Sequence, residues 1–166
     1  MTIVTDARFC WFGDVVDGVV GLNIVGEAVR AEWLKAPDIR PGVGLGEFVV
    51  MPNHLHGIVT MPGESRGWQQ PTLDRLGRKL VSKNLGALVR GFKAAATGRV
   101  NKIRQLEEPA EVWQRNYHEH IVRDAADRER IERYIRANPS RWVYDPENVD
   151  ARPDDYERAF WKSLDD

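Results

Sequence analysis

The sequence predicts an α+β domain built on an antiparallel sheet, and three observations carry that reading. Strand-like and helix-like stretches alternate without the regular βαβ rhythm of a parallel sheet. An Asp17-Gly18 pair sits between two short apolar runs, a hairpin signal that joins antiparallel strands. The chain has 166 residues, 42 % apolar and 30 % charged, which suits one core in a globular protein and excludes global disorder.

Residues 3–12 mix apolar and β-branched side chains and suit a first strand, and Asp14–Gly21 reads as the hairpin. From Asn23, a candidate cap, the pattern turns helical. Ile24, Ala28, Ala31 and Leu34 recur at helical spacing, and Pro37 marks the stop. The run GVGLG at 42–46 reads as a loop. It lacks the GxGxxG order and a following helix, so a dinucleotide fingerprint is rejected. Phe48–Met51 and His54–Met61 are β-type runs broken by Pro52-Asn53, either two adjacent strands or one kinked strand. Residues 62–74 are rich in Pro, Gly, Ser and Gln and predict a loop. Residues 80–104 predict a long basic helix with Leu85, Leu88, Val89, Phe92, Ala95 and Ala96 inward, interrupted by Gly86, Gly91 and Gly98. Trp113–Val122 alternates as a strand does. Asp124 opens a helix with Ile131, Tyr134 and Ile135 on its apolar side, ended by Pro139. The organisation expected is one domain over 1–146 and a polar tail over 147–166, where Tyr156, Phe160 and Trp161 suit a last short packed helix.

No apolar run approaches the roughly 20 residues needed to cross a bilayer. The start lacks the basic stretch and apolar core of a signal peptide, so a cytoplasmic protein is expected. A single cysteine, Cys10, excludes an internal disulfide and a Cys-rich zinc site. Net charge is −1, yet residues 75–104 carry nine Lys or Arg and no acidic residue, which leaves −10 on the rest. Such asymmetry builds either a solvated helix face or a cationic surface that meets phosphates.

All four histidines fall in two His-x-His pairs, His54-Leu55-His56 and His118-Glu119-His120. Residues two apart on a strand project from one face, so each pair can aim two imidazoles at one point, a common divalent-metal arrangement. Pro52-Asn53 kinks the chain before the first pair, and Leu55 is expected to anchor the opposite face in the core. A third ligand must come from elsewhere. Tyr134 and Asn138, four apart, share a helix face. An amide oxygen ligates hard cations such as Mg²⁺ or Mn²⁺, and a phenolate beside such a cation attacks a phosphodiester. The same spacing also fits a core tyrosine and a helix-ending asparagine.

The string Val49-Val50-Met51-Pro52-Asn53-His54-Leu55-His56-Gly57-Ile58 closely resembles the signature strand of the single-tyrosine, His-hydrophobic-His transposases. Val112-Trp113-Gln114-Arg115-Asn116-Tyr117-His118-Glu119-His120-Ile121-Val122-Arg123 and then Ile131-Glu132-Arg133-Tyr134-Ile135-Arg136-Ala137-Asn138-Pro139 resemble the second half of that signature. The Tyr-Ile-x-x-Asn-Pro version is typical of the REP-associated tyrosine transposases. Leu88–Lys93 and Phe12–Gly18 also look familiar, and the likeness covers roughly residues 1–146. Met1 falls inside the expected first strand, a shorter lead-in than the family's usual one.

The resemblance implies a ferredoxin-like antiparallel sheet backed by helices. His54 and His56 would bind a divalent cation, Mg²⁺ or Mn²⁺, from the central strand, with Asn138 as the third ligand. Tyr134 would be the nucleophile. The substrate would be single-stranded DNA beside a palindromic hairpin, cut through a covalent 5′-phosphotyrosine that conserves bond energy for rejoining, with no nucleotide cofactor. Relatives act as homodimers or as monomers. The basic segment, with Arg78, Lys79, Lys83, Arg90 and Lys93, offers phosphate contacts, and Phe92, Trp68 and Trp113 offer base-stacking surfaces or core. Tyr117 is the rival nucleophile. If Trp113–Val122 is a strand, Tyr117 faces away from His118 and His120, and it has no amide partner one helical turn away. His120 matches a recurrent family position and is a candidate for proton transfer. The alternative function is a domesticated, non-cleaving binder of DNA hairpins. A hydrolase of small phosphates is disfavoured by the absence of a His-x-His-x-Asp-His run.

Overall fold

The computed structural model describes residues 1–61, 85–105, 108–152 and 154–165. Among these, β1 (Thr2–Val4), β4 (Gly44–Val50) and β5 (His54–Thr60) form a three-stranded antiparallel sheet in the order β1-β5-β4. A separate hairpin, β2 (Gly13–Val16) and β3 (Val19–Leu22), turns at Asp17-Gly18 with both residues at positive φ, as a tight hairpin turn demands. The helices are α1 (Ile24–Leu34), α2 (Ala36–Ile39), α3 (Leu85–Arg104), α4 (Ala125–Ala137) and α5 (Asp155–Asp165). The α+β class with antiparallel sheets is as the sequence predicts.

The 48–61 region resolves into two adjacent strands. Met51-Pro52-Asn53 makes a tight connection closed by Met51 N donating to His54 O at 2.8 Å. Leu45–Val50 then pairs with Leu55–Val59, with a register irregularity between Leu45 and Phe48. Gly44–Gly46 belongs to β4, so the expected loop at 42–46 is largely strand. A helix does not follow the glycines, in keeping with the rejected fingerprint.

The first strand is shorter than the 3–12 expectation. After Val4 the chain enters a 3-10 turn, Asp6–Arg8, with Ala7 and Arg8 at positive φ. Trp113–Val122 is not a regular strand either. It runs beside β1 through two isolated bridges, Thr2 with His118 and Thr5 with Trp113. With β1 only three residues long, the edge offers too few paired groups for a full ladder.

Asn23 caps α1 as predicted, accepting from Val25 N and Gly26 N. The buried stripe, however, is Val25, Val29 and Trp33, while Ile24 is 72 % exposed and Leu34 is also exposed. Both stripes have helical spacing. The one carrying Trp33 removes more apolar area from water, and Gly26 lets it close down on Phe12 O, where a Cβ would stand at 2.1 Å. Trp33 packs edge-on to Phe92 and sits under Gly57, at the centre of a core with Ile3, Phe12, Leu55, Val89, Val100 and Trp113. Leu55 therefore anchors β5 as expected. Helix α3 buries Leu88, Val89, Phe92 and Ala96, but Ala95 faces solvent. Asp124 caps α4, and Ile131, Tyr134 and Ile135 are its buried face. No helix among the described residues is long and apolar enough to cross a membrane.

Candidate metal and nucleophile site

Strand β5 lies between β1 and β4, and the face opposite Leu55 carries His54 and His56, whose ring centroids are 4.5 Å apart. Each imidazole is oriented through Nδ1. His54 Nδ1 lies 2.8 Å from Asn53 Oδ1, and Asn53 Nδ2 in turn donates to the carbonyls of Arg8 and Glu147. Those two donations fix the amide, so its oxygen accepts and Nδ1 of His54 carries the proton. His56 Nδ1 pairs with Thr2 Oγ1 at 2.8 Å. Both Nε2 atoms are left facing inward, buried and without a hydrogen-bond partner.

The third group arrives from α4. Asn138 is its C-cap, and its buried Oδ1 also lacks a partner, while Nδ2 donates to Asp145 Oδ2 at 2.8 Å. A 3-10 turn, Pro139–Tyr144, brings Asp145 back beside Asn138. Asp145 Oδ2 stands 3.7 Å from His54 Nε2, and Asp145 Oδ1 accepts from Glu147 N at 2.7 Å. His54, His56 and Asp145 each place a ligand atom within 4.8 Å of the other two. Relative exposures are 0 %, 3 %, 1 % and 1 % for His54, His56, Asn138 and Asp145.

Three orphaned polar atoms and a carboxylate in one buried cluster is a costly arrangement for a structure to keep without a ligand. The donor set suits a divalent cation: two imidazole nitrogens, an amide oxygen and one carboxylate. Electrostatics agree. Burial lowers the His54 pKa to about 4, and burial followed by the neighbouring His54 holds His56 well below its ordinary value, so both rings are neutral at pH 7, the form that can ligate a cation. Burial raises Asp145, against the pull of the Glu147 amide and Asn138. A bound cation would reverse that penalty.

Tyr134 lies one turn before Asn138, as its spacing predicts, and its ring is edge-on to His56 with centroids 5.5 Å apart. Helix α5 covers it. Phe160 stacks on the phenol ring at 3.8 Å, and Trp161 meets Tyr134 and His56 at 5.8 and 6.2 Å. The expected packed tail is thus part of the site, with Phe160 buried and Tyr156 exposed. Tyr134 Oη donates to Glu157 Oε2 at 3.1 Å. Burial, then the charges of Asp145 and Glu157, push the phenol far above its ordinary value.

A cavity of about 700 Å³ reaches this cluster, lined by His56, Tyr134, His118, His120, Phe160 and Trp161 among others. His120 Nε2 donates to Asp127 Oδ2 at 2.9 Å, and Asp127 also receives Arg130 and Arg123 N. Partial burial raises Asp127, but the bonds from Arg130 and His120 outweigh it and hold the carboxyl at about 2. His118 joins no ligand cluster among the described residues. Tyr117 is half-buried against the main core, and burial together with Glu119 raises its phenol.

Of the expected DNA contacts, Arg90 is exposed on α3. Lys93 instead turns its ammonium to the carbonyls of Gln114 and Asn116, at 2.7 and 2.8 Å. Arg78, Lys79, Lys83 and Trp68 lie outside the described residues. Phe92 and Trp113 are core side chains 5.5 Å apart, which removes them as base-stacking surfaces. Asp145 and Glu157 escape sequence reasoning, because each is a lone acidic residue in a polar stretch with no spacing rule linking it to β5 or α4.

The arrangement of antiparallel sheet and helices has a solved counterpart. The fold is similar to that of a REP-associated tyrosine transposase solved bound to a REP hairpin, with TM-score 0.57 and 18 % identity over 98 % of this chain and 78 % of that one. No protein-family model matches. The chain belongs to the same family as an uncharacterized protein of Haemophilus influenzae, 38 % identical over 154 residues that cover 90 % of this chain and 84 % of the relative.

Proposed function

We propose that the chain is a metal-dependent single-strand DNA endonuclease and transesterase of the REP-associated tyrosine transposase type, acting beside palindromic hairpins in the cytoplasm. The observation that carries this reading is the 5.5 Å approach of the Tyr134 ring to His56, beside three unpartnered buried ligand atoms. His54 Nε2, His56 Nε2 and Asn138 Oδ1 would hold Mg²⁺ or Mn²⁺, and Asp145 supplies the charged oxygen of the set. When bound, the cation polarises the scissile phosphate and offsets the charge that develops on it. Tyr134 Oη forms the new bond to phosphorus, and the bond from phosphorus to the 3′ oxygen breaks. A 5′-phosphotyrosine and a free 3′-hydroxyl result, and attack by another 3′-hydroxyl rejoins the strands. His120, steadied by Asp127 and lining the same cavity, is placed to pass protons between water and the 3′ oxygen, not to serve the Tyr134 hydroxyl. Exposed Arg90, with Arg78, Lys79 and Lys83, supplies phosphate contacts. Lys93 acts through the 114–116 segment that it braces.

The test is covalent capture of a hairpin-flanked single strand with Mn²⁺ or Mg²⁺, read on a denaturing gel. Capture is expected from the parent chain and absent from Tyr134→Phe, with hairpin binding retained in both. Capture that survives in Tyr134→Phe and fails in Tyr117→Phe refutes the site. A second reading, a hairpin binder that does not cut, draws on the closure of α5 over Tyr134 and His56. Tight hairpin binding with no product under either metal would establish it.

A further inference from the structure

We propose that Glu157 is the group that accepts the proton of Tyr134 during strand cleavage, an assignment that rests on the transesterase reading above. The phenol hydroxyl needs such a partner. An ordinary tyrosine ionises near pH 10, so at neutral pH roughly one molecule in a thousand is phenolate. Attack on phosphorus therefore requires removal of the proton as the new bond forms.

Glu157 is placed to do this. Its Oε2 receives the Tyr134 hydroxyl directly, at 3.1 Å. The carboxylate is 1 % exposed and is fixed from behind, with Oε1 accepting from Arg141 Nε at 3.0 Å. Arg141 is itself pinned, its second nitrogen reaching both oxygens of Asp154 at 2.8 and 2.9 Å. Arg141 and Asp154 thus hold one oxygen of Glu157 and leave the other for the reacting hydroxyl. Burial raises the Glu157 carboxyl, against the pull of Arg141 and the Tyr134 hydroxyl, which makes it a stronger base than a solvated glutamate. Phe160, one turn further along α5, stacks flat on the phenol and keeps the hydroxyl aimed at Oε2. The other candidates stand differently: Asp145 is engaged by Asn138 and Glu147, and His120 by Asp127.

The step balances as follows. Tyr134 Oη bonds to phosphorus, its proton passes to Glu157 Oε2, and the departing 3′ oxygen takes a proton from water. On rejoining, the incoming 3′-hydroxyl gives its proton to water, and the departing phenol oxygen recovers the proton held by Glu157.

The test compares the full chain with Glu157→Gln in single-turnover covalent capture of a hairpin-flanked strand with Mn²⁺. Glutamine keeps the size and can still accept the hydroxyl, but it does not take the proton. Capture is expected to slow about 100-fold or more, within the range for a general base, with hairpin affinity and Mn²⁺-induced thermal shift unchanged. Placing 3,5-difluorotyrosine, a more acidic phenol, at position 134 should shrink the Glu157→Gln loss to a few-fold. A substrate with bridging sulfur at the 3′ position, whose leaving group needs no proton, should leave the loss intact. Glu157→Asp, one methylene shorter, should retain more rate than Glu157→Gln. Glu157→Gln that captures DNA as fast as the parent or faster overturns the assignment alone, as does an equal loss with the fluorinated phenol. No capture by the parent chain overturns both this assignment and the function it rests on.

Discussion

Removing the single charged oxygen from the His54, His56, Asn138 cluster isolates what the proposed cation contributes. Asp145→Asn is the perturbation: it keeps the shape and an acceptor for Glu147 N, deletes the charge 3.7 Å from His54 Nε2 and gives up the acceptor for Asn138 Nδ2, so the readout is the metal-induced shift and not the metal-free Tm. A ligand that binds only the folded state stabilises it by RT ln(1 + [L]/Kd), so Mn²⁺ at 100 times its dissociation constant adds about 2.7 kcal/mol to the parent chain. For a domain of this size that is a rise of about 5–11 °C in Tm. Loss of a ligand or its close partner weakens metal binding by roughly 10- to 100-fold. At the same Mn²⁺ concentration the gain in Asp145→Asn then falls to between about 1.4 and 0.4 kcal/mol, or roughly 1–6 °C. The assay is thermal unfolding of both proteins with and without Mn²⁺. A parent Tm that Mn²⁺ and Mg²⁺ leave unmoved, or a shift of equal size in both proteins, refutes the reasoning.

Gly57→Ala should destabilise the fold by about 1–3 kcal/mol in urea unfolding, because the new methyl would stand 2.8 Å from the buried Trp33 ring. Asp127→Asn should cost about 1 kcal/mol at pH 7 after allowance for solvent screening. Asp127 has a folded value of about 2, below the unfolded 3.8, so its contribution is present above pH 3.8 and lost as pH falls through about 2. The parent–mutant gap in urea unfolding should close over that window. Arg90→Ala should weaken hairpin binding and flatten its salt dependence by roughly one unit of slope, whereas an unchanged slope would remove Arg90 from the interface.

Much of this site is legible in the sequence because its geometry is periodic. Two residues apart on a strand and four apart on a helix are fixed relations, so spacing puts His54 with His56 and Tyr134 with Asn138 on shared faces, while the meeting of the two pairs at one site is what the family resemblance implies. The caps at Asn23 and Asp124 and the turn at Asp17-Gly18 are local chemistry and fall where predicted. What fails is what depends on tertiary choice. Helix α1 offers two apolar stripes, and spacing does not say that Trp33 outweighs Ile24. The alternation in Trp113–Val122 is a strand pattern without a long enough partner, so it survives only as two bridges. Lys93 reads as a DNA contact by charge, and spacing does not foretell that its ammonium also donates to two backbone carbonyls. Asp145 and Glu157 reach the site through a 3-10 turn and a tail helix, connections that leave no periodic trace.

The tail bears on the proposed chemistry through its contacts with Tyr134. Phe160, Trp161 and Glu157 fall on one side of α5 and together meet the Tyr134 ring and hydroxyl.

Mass spectrometry of the peptide left on the 5′ end of a cleaved, hairpin-flanked strand tests the central claim most directly. The account predicts a Mn²⁺-dependent phosphodiester link to Tyr134, lost when His54 or His56 is replaced by alanine. A link to Tyr117, or one to Tyr134 that forms equally well in chelator, would contradict it.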